Sequence, residues 1–317
     1  MVPVVTSLAR RELVGFDPRW ADIEAAGGLH IIPPQMGDNE VRREIAGGSI
    51  RAVEAHIPDL SPLLDFPIEF LMTTWPDVDA TPINRLTRLR GLSLDSWSGD
   101  LSVSLLPDLE WFGVIEAEPG QLDDLFDSGH PKLLSLSVGR YREQDLSPLH
   151  ALNGLVSLAI VNSRSLETLE GIGNLDGLAH LDLTTCPRLA SLRGLETAPR
   201  LRAVTLESCN RIDDLSPLAG LPNLRVVQIE MRETPSLAPL NGHPRLEFLW
   251  IVGREPRAEE IETLLETTSI RMINAGRSSW LRMDEGWKHF ANLYAMSDRE
   301  LQLRDELITE LNAAKYQ

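Results

Sequence analysis

The chain has 317 residues, 43% hydrophobic and 24% charged, and 30 basic against 47 acidic side chains give a formal net charge of −17. Such a field repels phosphate backbones and anionic lipid, which argues against nucleic acid and membrane surfaces as partners. It suits a basic protein partner, although on charge alone plain solubility is the favoured reading. Two cysteines are too few for a disulfide scaffold, no run of about 18 apolar residues occurs, and the first residues lack a signal-peptide core. The expected location is the cytoplasm.

Residues 1–49 read as an N-terminal cap. Asp17-Pro18 predicts the start of a short helix carrying Trp20 and Ile23, ended by Gly27-Gly28. A second helix is expected from Asn39 to Ala46.

Residues 50–275 read as nine to ten copies of one unit. The frame L-x-x-L-x-L opens at Leu89, Leu109, Leu133, Leu155, Leu178, Leu201, Leu224 and Leu246, degenerately at Ile68, and in short flanking form at Ile50 and Ile270. Eight intervals from Ile68 to Leu246 give a mean period of about 22. The last four positions of the frame alternate, so each unit starts with a strand that buries one face. The leucines that follow recur at a spacing near three, as in Ile212, Leu215, Leu218 and Leu221, which predicts 3₁₀ or irregular turns. One unit cannot bury its leucines alone, whereas stacked units can.

Residues 276–317 read as a helical C-terminal cap. Asp284 is expected to open a helix bearing Trp287, Phe290, Leu293 and Tyr294. Ser297-Asp-Arg-Glu300 has the form of a capping box and begins a helix with Leu303, Leu307 and Leu311 in line, beside Leu301 and Ile308. For 297–317 two readings stand: a helix folded onto the last units, or one protruding toward a partner or a second copy.

This pattern resembles the leucine-rich-repeat family. Asp145-Leu-Ser-Pro-Leu149 and Asp214-Leu-Ser-Pro-Leu218 resemble the return segment of the bacterial internalin-type class. The resemblance covers about 68–253. It implies an α/β leucine-rich-repeat solenoid: a curved right-handed superhelix with a parallel concave sheet and an irregular or 3₁₀ convex side. It implies little about function, because the fold hosts unrelated tasks. The family's ninth-position Asn is here Ser163, Cys186 or Cys209, and outside that stretch Tyr141 or Arg232. Cysteine is a substitute the family uses at that position. Two buried, reduced thiols are the favoured reading of Cys186 and Cys209, and a redox pair the alternative, since neighbouring strands lie about 4.8 Å apart.

No phosphate-binding loop, H-E-x-x-H, C-x-x-C or G-x-S-x-G occurs, and no two of the seven histidines pair at helical spacing. The expectation is therefore no cofactor, no metal and no enzyme. The third, fifth and seventh residues of each unit face the concavity. Asp182, Glu207 and Glu230, with Gln228 and His180 nearby, form an acidic track, while Trp111, Phe248 and Trp250 are large and apolar. Exposed aromatics beside charges are the anatomy of a binding hot spot. The alternative is that the C-terminal cap folds over them. The leading function is a non-enzymatic protein-binding module using these eight residues. The specific version is an immunity- or antitoxin-like inhibitor of a basic toxin. The other class is an enzyme or modification substrate using the polar surface around His180 and Asp182.

Overall fold

The computed structural model describes residues 29–34, 36–46, 51–276, 278–283, 286–290 and 296–316. The expected helix at Asp17 and the glycine pair at Gly27 lie outside these residues. Two compact units are present: Met1–Tyr141 with Pro148–Val161, and Arg142–Ser147 with Asn162–Gln317.

In the first unit, strands β1 (Leu29–Ile32), β2 (Ala52–Ala55), β3 (Phe70–Thr73), β4 (Gly91–Leu94), β5 (Trp111–Val114), β6 (Ser135–Gly139) and β7 (Ser157–Val161) pair in parallel, each with the next. Helix α1 (Asp38–Ala46) confirms the second cap helix, and α2 (Asp123–Ser128) is one short return. In the second unit, β8 (His180–Thr184), β9 (Ala203–Glu207), β10 (Val226–Met231), β11 (Phe248–Gly253) and β12 (Met272–Ala275) are also parallel. Two helical returns, α3 (Ser216–Ala219) and α4 (Ala258–Thr267), follow β9 and β11.

The repeat frame and the strand register coincide. Leu181, Val204, Val227 and Leu249 are Cα partners in turn, as are Leu183, Leu206, Ile229 and Ile251, and all are fully buried. Each such side chain contributes about 1.5–3 kcal/mol on leaving water. The returns are mostly 3₁₀ turns, as the spacing of three predicts. Their starts are capped locally. Asp145 and Asp214 accept hydrogen bonds from the N–H groups of Ser147 and Ser216, each at 2.8 Å. Two more copies do the same: Asp59 to Ser61 at 2.8 Å and Asp79 to Thr81 at 3.0 Å. The carboxylate fixes the turn and the following proline presets φ, so the D-x-[ST]-P string is an Asx turn that launches the return.

The eighth residue of four successive units is left-handed: Arg140, Asn162, Thr185 and Ser208 have φ of 53–56°. The turn drives the ninth side chain into the core, where Tyr141, Ser163, Cys186 and Cys209 are buried. Ser163 does the work of the missing Asn, accepting the N–H of Leu166 at 3.0 Å. Cys186 and Cys209 are free thiols. Cys209 donates to the carbonyl of Leu183 at 3.2 Å. The Cys186 thiol is pushed up, first by its hydrogen bond with Cys209 and then by burial.

His130 and His243 occupy one repeat position, inside His-Pro-Lys and His-Pro-Arg strings. Their Nε2 atoms lie 3.0 Å from the carbonyls of Leu106 and Leu221. Nδ1 of His243 accepts the N–H of Leu246 at 3.1 Å. A carbonyl only accepts and a backbone N–H only donates, and Nδ1 of His130 takes the N–H of Lys132 at 3.4 Å, so each ring is neutral with its proton on Nε2. Burial lowers both pKa values.

The C-terminal end differs from expectation. Beyond β12 the sheet turns antiparallel, through β13 (Ser278–Met283) and β14 (Gly286–Phe290). The helix expected from Asp284 is therefore a strand in its described part, 286–290, and Leu293 and Tyr294 lie outside the described residues. The indole of Trp280 stacks on the ring of His289 at 4.6 Å, so a cross-strand pair replaces the helical face. The capping box is present: Glu300 accepts the Ser297 N–H at 2.8 Å and opens α5 (Asp298–Tyr316).

Two predictions follow from local chemistry. Thr185 is β-branched in a left-handed conformation, so Thr185→Asn raises stability by about 0.5–1 kcal/mol in urea denaturation; a loss contradicts the turn assignment. His130 and His243 have folded pKa values below their unfolded ones, so their contribution is complete above about pH 6.5 and is lost as pH falls below it. The urea midpoint should drop between pH 7 and pH 5. The double variant His130→Gln/His243→Gln should show a shallower drop, and an unchanged slope would contradict the neutral-ring assignment.

Candidate protein-binding face

In-register pairing sorts the outward residues of the second unit into three rows. The first is His180, Ala203, Val226, Phe248 and Met272, continued antiparallel by Leu281. The second is Asp182, Thr205, Gln228, Trp250 and Asn274, and the third is Thr184, Glu207, Glu230 and Val252.

These rows differ in exposure. The first is buried throughout, with Phe248 at 0% and His180 at 7% exposure. Its apolar members form one cluster with Met296 and Leu307, against which Leu301, Leu303 and Ile308 of α5 pack, as do Met283 and the indole of Trp250. The chain's own C-terminal helix therefore lies on this row. Of the two readings for 297–317, the folded one holds, and the expected exposure of Phe248 does not. Leu311 is outside the described side chains. In the other two rows Asp182, Glu207, Gln228, Glu230 and Trp250 are partly exposed, Val252 is exposed, and Thr184, Thr205 and Asn274 are buried. Asp182 accepts a hydrogen bond from the Thr184 hydroxyl at 2.8 Å.

Ion pairs fasten α5 near both ends. Lys288 of β14 pairs with Glu300. That ammonium first, then the Ser297 N–H and hydroxyl, pull the Glu300 carboxyl down to about 2. Arg271 pairs with Glu310, reaches Glu247 at 3.9 Å, and sits 5.7 Å over the Phe248 ring. Glu247 is in turn forked by Arg225 at 2.8 and 3.0 Å. The sequence reading missed this network, although Arg225, Glu247 and Arg271 all stand at the second position of their units.

Trp111 lies in the first unit and is 1% exposed. It shares a row with Phe70 and Gly91, where a Cβ on Gly91 would meet the Phe70 ring at 2.6 Å. The same unit holds a cluster that the sequence reading passed over. His56 places Nδ1 2.6 Å from the Thr74 hydroxyl and Nε2 3.1 Å from the buried Glu54 carboxylate. The adjacent Trp75 N–H is already donated to Thr73, so it is not presented to a developing oxyanion. Among the described residues no group of His, Cys, Asp and Glu could hold a metal ion, and no helix is long and apolar enough to cross a membrane.

No protein-family model matches the chain, and no curated protein matches it. Solved structures do. An internalin, InlF, from Listeria monocytogenes superposes with a TM-score of 0.51 at 18% identity, covering 72% of this chain and 74% of that one. The chain has the leucine-rich-repeat fold. The leucine-rich-repeat domain of the type III effector XCV3220 (XopL) is also similar, with a TM-score of 0.45 at 17% identity over 67% of this chain and 81% of that one.

The row structure of this repeat protein sets buried positions beside partly exposed ones. Phe248→Ala should cost about 3–5 kcal/mol in denaturant unfolding, as expected for a buried aromatic. Glu230→Lys should stay within about 0.5 kcal/mol of the parent, as surface changes do. Similar effects from both would contradict the division into covered and open rows.

Proposed function

We propose that this chain is a non-enzymatic protein-interaction module. Its binding face is the open part of the second unit's strand surface, where Asp182, Gln228 and Trp250 stand beside Glu207 and Glu230. The observation that carries this reading is the meeting of three carboxylates and a partly exposed indole in two adjacent rows. An indole supplies contact area at low entropic cost, and the acids add charge selectivity and faster encounter. His180 and Phe248 support the face from the covered row.

The partner is basic on its contacting surface. The chain's net charge of −17 supports that choice. The narrower form is an immunity- or antitoxin-like inhibitor of a basic toxin, and the same acids support it. The test is affinity capture from native extract with the parent, Trp250→Ala and Glu207→Lys. Each substitution should reduce recovery of the specific partner at least tenfold, and recovery should fall as salt rises. Unchanged recovery with both variants would overturn the proposal.

A further inference from the structure

We infer that the buried first row is itself a docking groove for a basic-flanked amphipathic helix, and that α5 is its resident occupant, exchangeable for the partner's helix. This rests on the strand-face reading above, which it deepens by naming the partner's element.

The groove already holds a helix. Ala203, Val226, Phe248, Met272 and Leu281 form a continuous apolar strip, and α5 lays Leu301, Leu303, Leu307 and Ile308 against it. This is helix-in-groove recognition made within one chain. Two observations mark α5 as an imperfect fit. Arg304 points inward with its side chain 18% exposed, and its Nε has no hydrogen-bond partner among the described residues. Its Nη1 reaches its chain neighbour Asp305 at 3.4 Å. On the strand face, the hydroxyl of Thr205 is likewise buried without a partner among the described residues. Buried donors left unpaired are unfavourable, so a better-matched helix gains over α5 at the same place.

Charge adds a second difference. From Asp298 to Tyr316 the helix carries five acids and three bases. Glu300 and Glu310 are paired with Lys288 and Arg271, and Asp298, Asp305 and Glu306 are exposed, so among the described residues no base of α5 is shown to meet the acids Asp182, Glu207 and Glu230 of the adjoining rows. A helix with the same apolar face but a basic flank adds attraction to those acids. A ligand shifts an equilibrium only by its differential affinity, and here the difference lies in named groups. The latches at Lys288–Glu300 and Arg271–Glu310 hold α5 in the absence of a competitor, and salt weakens them.

The test uses the full chain and two synthetic peptides spanning 297–316. One has the native sequence, and the other carries Asp298→Lys, Asp305→Lys, Glu306→Lys and Arg304→Leu. Hydrogen exchange should show α5 amides 301–310 opening at least tenfold more often than those of β9–β11. In the chain itself, Arg304→Leu should slow that opening at least threefold, whereas a merely structural arginine would make the variant open faster. The basic peptide should raise exchange of the chain's own α5 at least tenfold while the strands stay protected, and the native-sequence peptide should do so at least tenfold less effectively. Exchange of α5 in step with the strands, faster opening in Arg304→Leu, or equal action of the two peptides would each overturn the inference. No partner protein is used, so a failed capture experiment and a failed displacement are separate results.

Discussion

Every later feature depends on parallel strands pairing without slippage. When β8 to β11 stack in register, each position of the unit becomes a row across the sheet. A slip of one residue would turn Leu206 and Ile229 outward and Thr205 and Gln228 inward, so burial of the leucines locks the register. That lock is also what brings side chains some 23 residues apart in sequence into contact. The thiols of Cys186 and Cys209, the Arg225–Glu247 fork and the acid pair Glu207 and Glu230 all exist because equivalent positions become neighbours.

The same constraint gives the face its division of labour. A row carrying Ala203, Val226, Phe248 and Met272 presents an apolar strip that water cannot satisfy, and α5 removes it from solvent. The next two rows leave the carboxylates of Asp182, Glu207 and Glu230 and the amide of Gln228 partly exposed, with Thr184, Thr205 and Asn274 buried among them. One helix can therefore shelter part of a sheet while leaving the adjoining part open to a partner. Coverage by a helix with an inward arginine trades tightness for exchangeability, as elements that move in recognition must.

Much of the architecture was legible in the sequence because the leucine frame repeats often enough to average out local exceptions. The strand starts, the 3₁₀ returns, the capping box at Ser297 and the burial of Cys186 and Cys209 all follow from local patterns whose physics is short-range. The misreadings arose where tertiary context decides. Trp287 and Phe290 fit a helical spacing, yet edge pairing with β13 makes 286–290 a strand. Phe248 is outward by period, and the period is right; what covers it comes from residues about fifty positions later. The Asp59 and Asp79 turns were readable from the same D-x-[ST]-P string as Asp145 and Asp214, in units whose leucine frame is degenerate. The Arg271 network was harder, because it needs both the register and the position of α5.

The account stands on the first row being covered and the third being open on one strand. Single cysteines placed at Val226 and Glu230 compare the two directly, since both side chains lie on the same face of β10 and the native Cys186 and Cys209 are buried. Under native conditions the thiol of Glu230→Cys should react with a small water-soluble reagent at least a hundredfold faster than that of Val226→Cys, which should react at the rate of α5 opening. Equal, fast rates at both positions would contradict the covered row and with it the assignment of the face.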